Sequence, residues 1–237
     1  MGTKLKNFEN VEDYFNQVDV YSKVVRNNYM FHNEIFSEFK SFLGKNYKDN
    51  SFKLLEIGCG DGFFMSQVLK DTNISSYTAY DISDKSIEEA KKNLSTLKCK
   101  KQFINFDISR DFLDSEIVEK YDLIWSSYTL HHLPIEDKRR FFQTCFKNLK
   151  ENSYLILVDF INDYSSRDDC LKHYRENVEK KWTNLTKEEK EHLYEHVFKF
   201  DFPESIAIHK DIAKDAGFKK SEKVFHNDSW AYMVFAS

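Results

Sequence analysis

Short apolar runs alternate with amphipathic segments through the middle of the chain. Five runs have the length and content of buried β-strands, near 53–57, 76–80, 101–106, 121–126 and 153–159. The segments between them repeat apolar residues at helical spacing, near 62–70, 84–97, 110–119 and 136–149. This alternation predicts an α/β fold with a doubly wound, mostly parallel sheet.

The C-terminal part of the chain predicts one more helix and a β-hairpin. The helix begins near Pro203, a residue suited to a first turn, and stops before Gly217. Two strand patterns follow, 218–225 and 230–236, with the turn residues Asn227-Asp228-Ser229 between them. The antiparallel hairpin brings the predicted sheet to seven strands.

Two segments stand outside the alternation, and we expect both to be helical covers near the carboxyl edge of the sheet. The first carries apolar stripes that include Tyr14, Val18 and Phe39, and the second has Thr186 and Glu189 at capping-box spacing. The predicted organisation is therefore a lid (1–45), a core (46–160), a cap insertion (161–202) and a C-terminal unit that completes the sheet (203–237).

Composition narrows the class of protein. The chain has 237 residues, of which 41% are hydrophobic and 16% aromatic, enough for one large packed domain. Its longest apolar run, Trp230–Ala236, is far shorter than the about 20 residues of a membrane helix. The first ten residues lack the apolar stretch of a secretory signal.

Cysteine spacing and net charge indicate the cellular compartment and the partners to expect. The four cysteines have no paired spacing, which argues against a metal centre such as zinc or iron–sulfur and fits a reducing cytosol. The net charge of −4 gives no electrostatic reason to bind nucleic acid. We therefore expect a cytoplasmic protein with no membrane or nucleic-acid partner.

Glycines concentrate at one place. Three of the six, Gly58, Gly60 and Gly62, fall within five residues, between a predicted strand and a predicted helix. Such crowding indicates a loop that turns sharply and lets a ligand approach its backbone. Ligands of doubly wound sheets bind at the carboxyl ends of strands, where this loop lies.

The chemistry of this loop argues against a dinucleotide. The spacing is GxGxG rather than GxGxxG, and the carboxylates of Asp61 and Glu56 would repel a pyrophosphate. A ligand that carries positive charge and no phosphate suits the loop better.

Further motifs follow the glycine loop in register. Asp81 ends the second strand, Asp107 follows the third, and the fourth-strand segment Tyr121–Ser127 precedes His131-His132-Leu133-Pro134. Together with Leu55-Glu56-Ile57-Gly58-Cys59-Gly60-Asp61-Gly62, these motifs resemble the class I S-adenosylmethionine-dependent methyltransferases over about residues 50–160.

The resemblance implies a cofactor, S-adenosylmethionine, with S-adenosylhomocysteine as its product. It places Asp81 on the ribose hydroxyls and Asp107 on the adenine amino group. The implied cofactor-binding set is Glu56, Gly58, Cys59, Gly60, Gly62, Asp81, Ile82, Asp107, Ile108 and Ser126, joined by Tyr21 and Tyr29 from the lid. The alternative is that Asp81 and Asp107 only cap helices and that Cys59 only fills space.

The sequence departs from several specialised enzymes of this fold. The residues after the fourth strand, Ser126 to Thr129, lack both the proline motif of amino-methylating DNA enzymes and the carboxylate of metal-dependent catechol-type enzymes. Neither proline is followed by the nucleophilic cysteine of cytosine-C5 enzymes. A metal-independent, in-line methyl transfer is therefore expected.

Candidate catalytic and acceptor-binding residues come from the loop after the fourth strand and from the covers. His131 and His132 are the candidate proton acceptors. The candidate substrate-binding residues are His32, Tyr128, Asp159, Tyr174, Trp182 and His196. The alternative for each is structural, with the cap aromatics joining the cap to the core.

The favoured hypothesis is a methyltransferase that acts on an oxygen or nitrogen atom of a small molecule, as a monomer or homodimer. Two alternatives stay open: a methyltransferase for protein or RNA, which needs an open cleft, and a non-catalytic S-adenosylmethionine-binding partner subunit.

Overall fold

A seven-stranded sheet forms the centre of the computed structural model, which describes residues 20–113, 115 and 119–237. The strands are β1 (Phe52–Ile57), β2 (Ile74–Asp81), β3 (Lys100–Asn105), β4 (Tyr121–Ser127), β5 (Leu149–Phe160), β6 (Lys220–Asn227) and β7 (Trp230–Ala236). Their order is β3-β2-β1-β4-β5-β7-β6. β1 to β5 pair in parallel, and β7 is antiparallel to both β5 and β6. The predicted fold class is confirmed.

Eight α-helices of seven or more residues surround this sheet in the described part of the chain. They are α1 (Val20–Arg26), α2 (His32–Asn46), α3 (Phe63–Leu69), α4 (Asp84–Asn93), α5 (Ile135–Asn148), α6 (Arg167–Lys181), α7 (Lys187–Phe200) and α8 (Ile206–Ala216). Among these described helices, none combines the length and apolar content needed to cross a membrane.

Each face of the sheet buries its own apolar cluster, because successive side chains of a strand point to opposite faces. Leu54 and Trp125 face the cluster that contains α2, α3 and α4. Leu55 and Ile124, their neighbours in sequence, face the cluster that contains α5 and α8. The carboxyl ends of β1 to β4 thus meet at one edge, between two packed layers.

A third cluster joins the cap helices to the carboxyl edge. Val20 and Val24 of α1 pack with Tyr174 of α6 and Tyr194 of α7, and with Phe160 at the end of β5. The division of the chain into lid, core, cap and C-terminal unit stays a prediction, and residues 1–19, including Tyr14 and Val18, lie outside the described residues.

Several predicted boundaries are wrong for local reasons. The helix expected over 110–119 is instead a π-helical turn, Ile108–Phe112, which Asp107 begins by accepting a hydrogen bond from the Ser109 N–H at 2.8 Å. Of the residues expected to continue that helix, 114 and 116–118 lie outside the described part.

Two other helices are shorter than predicted. α4 ends at Asn93 because Lys101 Nζ donates hydrogen bonds to the carbonyl oxygens of Leu94 and Leu97, at 3.1 and 2.8 Å. α8 begins at Ile206 rather than near Pro203, because the Ser205 hydroxyl caps it by accepting from the Ile208 N–H at 3.1 Å.

Candidate active site

The glycine loop is tied to the end of the neighbouring strand. The N–H groups of Gly58 and Cys59 both donate to the carbonyl oxygen of Tyr80, at 2.8 and 3.0 Å. The loop therefore stays at the carboxyl ends of β1 and β2, between the sheet and the start of α3.

Each glycine of the loop has a left-handed backbone, but the surroundings differ. At Gly58 (φ 76°) a Cβ atom would lie 2.0 Å from Thr129 Oγ1, and at Gly62 (φ 65°) it would lie 2.7 Å from Leu94 Cδ1. At Gly60 (φ 53°) a Cβ atom would meet no described atom within 4 Å. The protein thus fills the space beside Gly58 and Gly62 and leaves the space beside Gly60 open to a ligand.

Asp81 connects the loop to α4. Its Oδ2 accepts from the Gly60 N–H at 2.8 Å and its Oδ1 from the Ser83 N–H at 2.9 Å. Burial raises the pKa of this carboxyl, and the backbone hydrogen bonds oppose that rise. The helix cap itself is Ser83, whose hydroxyl accepts from the Ser86 N–H. Asp81 therefore does more than cap a helix, while Asp107 does cap the turn that follows it.

Glu56 has a different environment from the one its sequence position suggested. Its side chain is 2% exposed and accepts a hydrogen bond from the Tyr77 hydroxyl. Burial, with a smaller contribution from the charge of Asp81, raises the pKa of Glu56 to about 8. At neutral pH this carboxyl is mostly protonated, so the repulsion of a pyrophosphate rests on Asp61 and Asp81 rather than on Glu56.

The small residues of the predicted cofactor set lie at the same edge. Cys59 is buried in the core cluster of α2 to α4, where burial raises the pKa of its thiol well above the usual range. Ser126 at the end of β4 is fully buried, and its hydroxyl has no hydrogen-bond partner among the described residues. Ile82 and Ile108 follow β2 and β3 and are half-buried.

His32, at the start of α2, lies among aromatic rings beside this loop. Its ring stacks on Tyr128 and Phe64, with centroids 4.5 and 5.4 Å away, and meets the Tyr21 ring edge-on at 6.3 Å. The side chain is 3% exposed, and neither ring nitrogen has a hydrogen-bond partner among the described residues. Burial lowers the pKa of His32 to about 4, so the imidazole is neutral at physiological pH.

Tyr21 and Tyr128 complete the surroundings of His32. Burial raises the pKa of Tyr21, and the charges of Asp61 and Asp81 raise it further, so Tyr21 lies within electrostatic range of both carboxylates. Tyr128 has a left-handed backbone (φ 55°), and its hydroxyl donates to the Met30 carbonyl at 2.8 Å. A left-handed backbone is rare for a large aromatic residue and is characteristic of functional loops.

Tyr29 and the cap aromatics have packing roles. Tyr29 stacks on Trp182 with centroids 5.0 Å apart and an interplanar angle of 5°, and its hydroxyl accepts from the Asn184 N–H at 2.9 Å. Tyr174 packs between Trp182 and Phe160. These contacts match the structural alternative, in which the cap aromatics join the cap to the core.

His131 and His132 contact buried carboxylates. His131 Nδ1 lies 2.6 Å from Asp159 Oδ1, and His132 Nδ1 lies 3.0 Å from Asp201 Oδ1. Asp159 is fully buried, and it faces His131 and, at 3.9 Å, His209 rather than an open pocket. His196 Nε2 lies 3.6 Å from Asp201 Oδ1, which places it in the same group.

Electrostatics differ between the two neighbouring histidines. Burial lowers the pKa of His131, but the charges of Asp201 and Asp159 outweigh it and raise this pKa overall. Burial and the nearby His131 lower the pKa of His132. The base role of either histidine stays a prediction.

Two residues of this region were not predicted from the sequence. Asp201 lies at the C-terminal end of α7, 3% exposed. Lys138 of α5 is fully buried and donates to the carbonyl oxygens of Leu133 and Phe202, and burial lowers its pKa to about 8. The available signal was weak, since each is a single charged residue in an amphipathic segment.

Comparisons with known proteins relate the core of the chain to methyltransferases. Residues 55–155 match a family model described as a methyltransferase domain. The chain is 35% identical over 83 residues to a phosphoethanolamine N-methyltransferase of Plasmodium falciparum (isolate 3D7), covering 34% of this chain and 30% of that protein. It is 31% identical over 112 residues to a malonyl-[acyl-carrier protein] O-methyltransferase of Ilyobacter polytropus, covering 47% and 40%. The chain thus spans less than half the length of these curated relatives.

A solved structure covers more of the chain. The magnesium protoporphyrin IX methyltransferase of Synechocystis PCC 6803, with bound S-adenosylhomocysteine, superimposes with a TM-score of 0.65 over 95% of this chain and 96% of that one. At 18% sequence identity this likeness concerns the fold.

Proposed function

We propose that this chain carries a methyltransferase domain of the class I type, which uses S-adenosylmethionine, and that the whole protein methylates an oxygen or nitrogen atom of a small molecule. His32 is the observation that carries this proposal. It is a neutral imidazole, 97% buried beside the glycine loop, with two ring nitrogens that the described residues leave unpartnered. A buried polar group without a partner is costly, so a ligand is its expected partner.

The residues of the glycine loop fit S-adenosylmethionine. The open space beside Gly60 admits a ligand against the backbone, and the negative charges of Asp61 and Asp81 suit a sulfonium and an ammonium group. Asp81, which already holds the Gly60 N–H, is the candidate for the ribose hydroxyls, and Asp107 and Ile108 are the candidates for the adenine. The cofactor would supply a methyl group on an activated sulfonium carbon.

The protein's part in the transfer is to orient the acceptor and to exclude water. Because the sulfonium carbon is already activated, an in-line displacement requires alignment and sometimes a proton acceptor, and no metal ion. His32 is our candidate for hydrogen bonding to the acceptor's hydroxyl or amine, between the rings of Tyr21 and Tyr128. We favour it over His131 and His132 because both of those rings contact buried carboxylates.

The cover over the loop favours a small acceptor. α1 carries Tyr21 within electrostatic range of Asp61 and Asp81, and it is held in place by the Tyr29–Trp182 stack and by an ion pair between Lys23 and Glu189. A folded protein or an RNA helix would have to displace α1 to reach His32. We therefore infer an acceptor of metabolite size.

Methyl-labelled S-adenosylmethionine tests the proposal. The purified protein is incubated with the labelled donor and pools of small hydroxyl and amine compounds, and products are identified by mass. We expect label in a small-molecule product, with the labelled atom showing O- or N-methylation. Label found only in added protein or RNA would support the macromolecular alternative, and no transfer with intact cofactor binding would support a partner subunit.

Once an acceptor is known, His32→Ala tests the assignment of His32 as the residue that hydrogen-bonds to the acceptor. We expect turnover to fall at least tenfold while affinity for S-adenosylhomocysteine changes less than threefold, because His32 is assigned to the acceptor. His173→Ala, which removes a half-exposed imidazole on α6, is the matched control and should behave like wild type. Wild-type turnover in His32→Ala would contradict the assignment.

A further inference from the structure

A histidine–aspartate cluster joins the core to the cap. His131 and His132 lie in the short turn that follows β4, and Asp201 follows α7. One ligand atom from each of these three side chains lies within 4.8 Å of the other two. We propose that this cluster, defined as His131, His132 and Asp201, binds a divalent transition-metal ion, with zinc as the ion that its chemistry favours.

The donor set suits zinc. Two imidazoles and one carboxylate are ordinary zinc ligands, whereas Ca²⁺ and Mg²⁺ prefer oxygen ligands alone. Ligand atoms about 2.0–2.1 Å from a tetrahedral ion lie roughly 3.3 Å from one another. The separations in the structure lie on either side of that value: Asp201 Oδ1 is 3.0 Å from His132 Nδ1, and Asp201 Oδ2 is 3.9 Å from His131 Nε2.

A second carboxylate orients His131 as metal sites require. Asp159 Oδ1 lies 2.6 Å from His131 Nδ1 and also accepts from the His131 backbone N–H at 3.2 Å. With Nδ1 donating to Asp159, the ring presents Nε2 towards Asp201, and Nε2 would bind an ion after giving up its own proton. Metal-bound histidines characteristically donate their other ring N–H to a carboxylate in this way.

His196 supplies a candidate fourth ligand from the cap. Its Nε2 lies 3.6 Å from Asp201 Oδ1, and its ring centroid is 5.2 Å from that of His132. All four side chains are about nine-tenths buried or more, so a bound ion would be enclosed by protein. An enclosed ion with ligands from the β4 turn and from α7 would fasten the cap to the core, as structural zinc sites do.

The site escapes detection in the sequence. Zinc motifs are recognised by pairs of cysteine or histidine residues at short spacing. Here the ligands from the core and from the cap are some 65 to 70 residues apart, and only the packing of α7 on the β4 turn brings them together.

Metal titration of the full-length chain tests the proposal without any assay of methyl transfer. The protein is first freed of metal with a chelator and then titrated with Co²⁺, whose visible absorption reports four-coordinate geometry, and Zn²⁺ is used to displace it. We expect one Co²⁺ per chain, replaced by one Zn²⁺, and a higher midpoint of thermal unfolding with Zn²⁺ present.

Two variants identify the ligands. Asp201→Asn and His132→Ala should each lower Co²⁺ affinity at least tenfold and remove the zinc-dependent rise in midpoint. Asp163→Asn is the matched control, because Asp163 also pairs with a histidine, His226, at 2.7 Å but is 41% exposed on the surface. It should bind Co²⁺ like wild type.

Circular dichroism shows which variants are folded. A variant that is not folded is replaced by His196→Gln, for which we expect at least a threefold loss of Co²⁺ affinity. Absence of saturable Co²⁺ binding in the wild type, or wild-type affinity in a folded Asp201→Asn, would overturn the proposal. Either result would leave the methyl-transfer proposal untouched, since the titrations contain no cofactor.

Discussion

At the scale of single residues, Glu56 makes a prediction about pH. Its pKa is raised from 4.5 to about 8 in the folded chain, mainly by burial. Between those values unfolding releases a proton, so the stability that the neutral carboxyl contributes is complete below pH 4.5 and is lost as pH rises to about 8. The slope is on the order of 1 kcal/mol per pH unit.

Glu56→Gln should remove this slope, because the amide stays neutral and still accepts from Tyr77. Urea unfolding of the variant and the wild type at pH 5.5, 7 and 8.5 gives the difference in free energy of unfolding, in which all other titrating groups cancel. Glu222→Gln, at an exposed position of β6, serves as the control. A difference that is constant with pH would show that Glu56 is ionised in the folded chain.

Asp81 makes a second prediction at this scale. Asp81→Ala should weaken S-adenosylhomocysteine binding by about 2–3 kcal/mol, the size of a charge-assisted hydrogen bond or two. Asp211→Ala, an exposed substitution on α8, should leave affinity unchanged.

Calorimetry with a ligand that lacks the ribose hydroxyls separates a direct contact from an effect on the loop. Wild type should bind this dideoxy ligand more weakly than S-adenosylhomocysteine. Asp81→Ala should bind the two ligands with equal affinity. If removal of the ribose hydroxyls weakens binding to Asp81→Ala as much as it weakens binding to wild type, Asp81 acts through the Gly60 N–H alone.

Single residues were predictable where they belong to a motif and not otherwise. Asp81 could be placed beside the glycine loop from the motif, and its contact with the ribose stays a prediction. Asp201 and Lys138 could not, because their burial depends on how the cap and α5 pack. Glu56 was placed at the correct edge, but its neutralisation depends on Tyr77, which lies on the adjacent strand.

At the scale of elements, alanine substitutions in the glycine loop distinguish the effect of backbone strain from the effect of lost ligand contact. Gly58→Ala would place a methyl group 2.0 Å from Thr129 Oγ1, so we expect it to destabilise the fold by more than the about 1–2 kcal/mol of a left-handed backbone. Gly60→Ala meets no neighbour within 4 Å and should cost only that smaller amount, yet reduce cofactor affinity at least tenfold.

Chemical denaturation and calorimetry on the same two variants check this contrast. Gly44→Ala in α2, where a Cβ atom also meets nothing within 4 Å, controls for the added methyl group. Unchanged cofactor affinity in Gly60→Ala would mean that the open space beside this loop is not where the cofactor lies.

The docking of α1 makes a further prediction. Tyr29→Leu removes the stack on Trp182, and aromatic pairs are worth about 0.5–1.5 kcal/mol beyond their buried area. Amide hydrogens of α1 should therefore exchange up to about tenfold faster, while those of α5 stay unchanged. Tyr164→Leu, which removes the similar stack on His173 at the cap surface, should leave α1 unaffected. Equal exchange in both variants would show that the stack does not hold α1.

Element types were mostly predictable, and element ends were not. The strands follow from apolar runs, and the capping box of Thr186 and Glu189 is present at the start of α7. The end of α4 depends on Lys101, which belongs to the next strand, and the expected helix after β3 is replaced by a tight turn that Asp107 caps. Both outcomes depend on hydrogen bonds that a helical pattern does not encode.

At the scale of the whole molecule, strand alternation and one glycine loop predict the sheet and the position of its ligand edge. Parallel strands need helical crossovers, and the closing hairpin has its own turn signal, so few topologies remain. The contacts of the covers could not be predicted, because α1, α6 and α7 pack on the edge through side chains distant in sequence, such as Tyr29 and Trp182.

The central claim is that the open edge beside Gly60 binds S-adenosylmethionine, and calorimetric titration of the full-length protein with S-adenosylhomocysteine, S-adenosylmethionine and NAD tests it most directly. We predict that the first two ligands bind one per chain, that Gly60→Ala weakens both, and that NAD produces no heat of binding. Binding of NAD without binding of either adenosyl ligand would contradict the account.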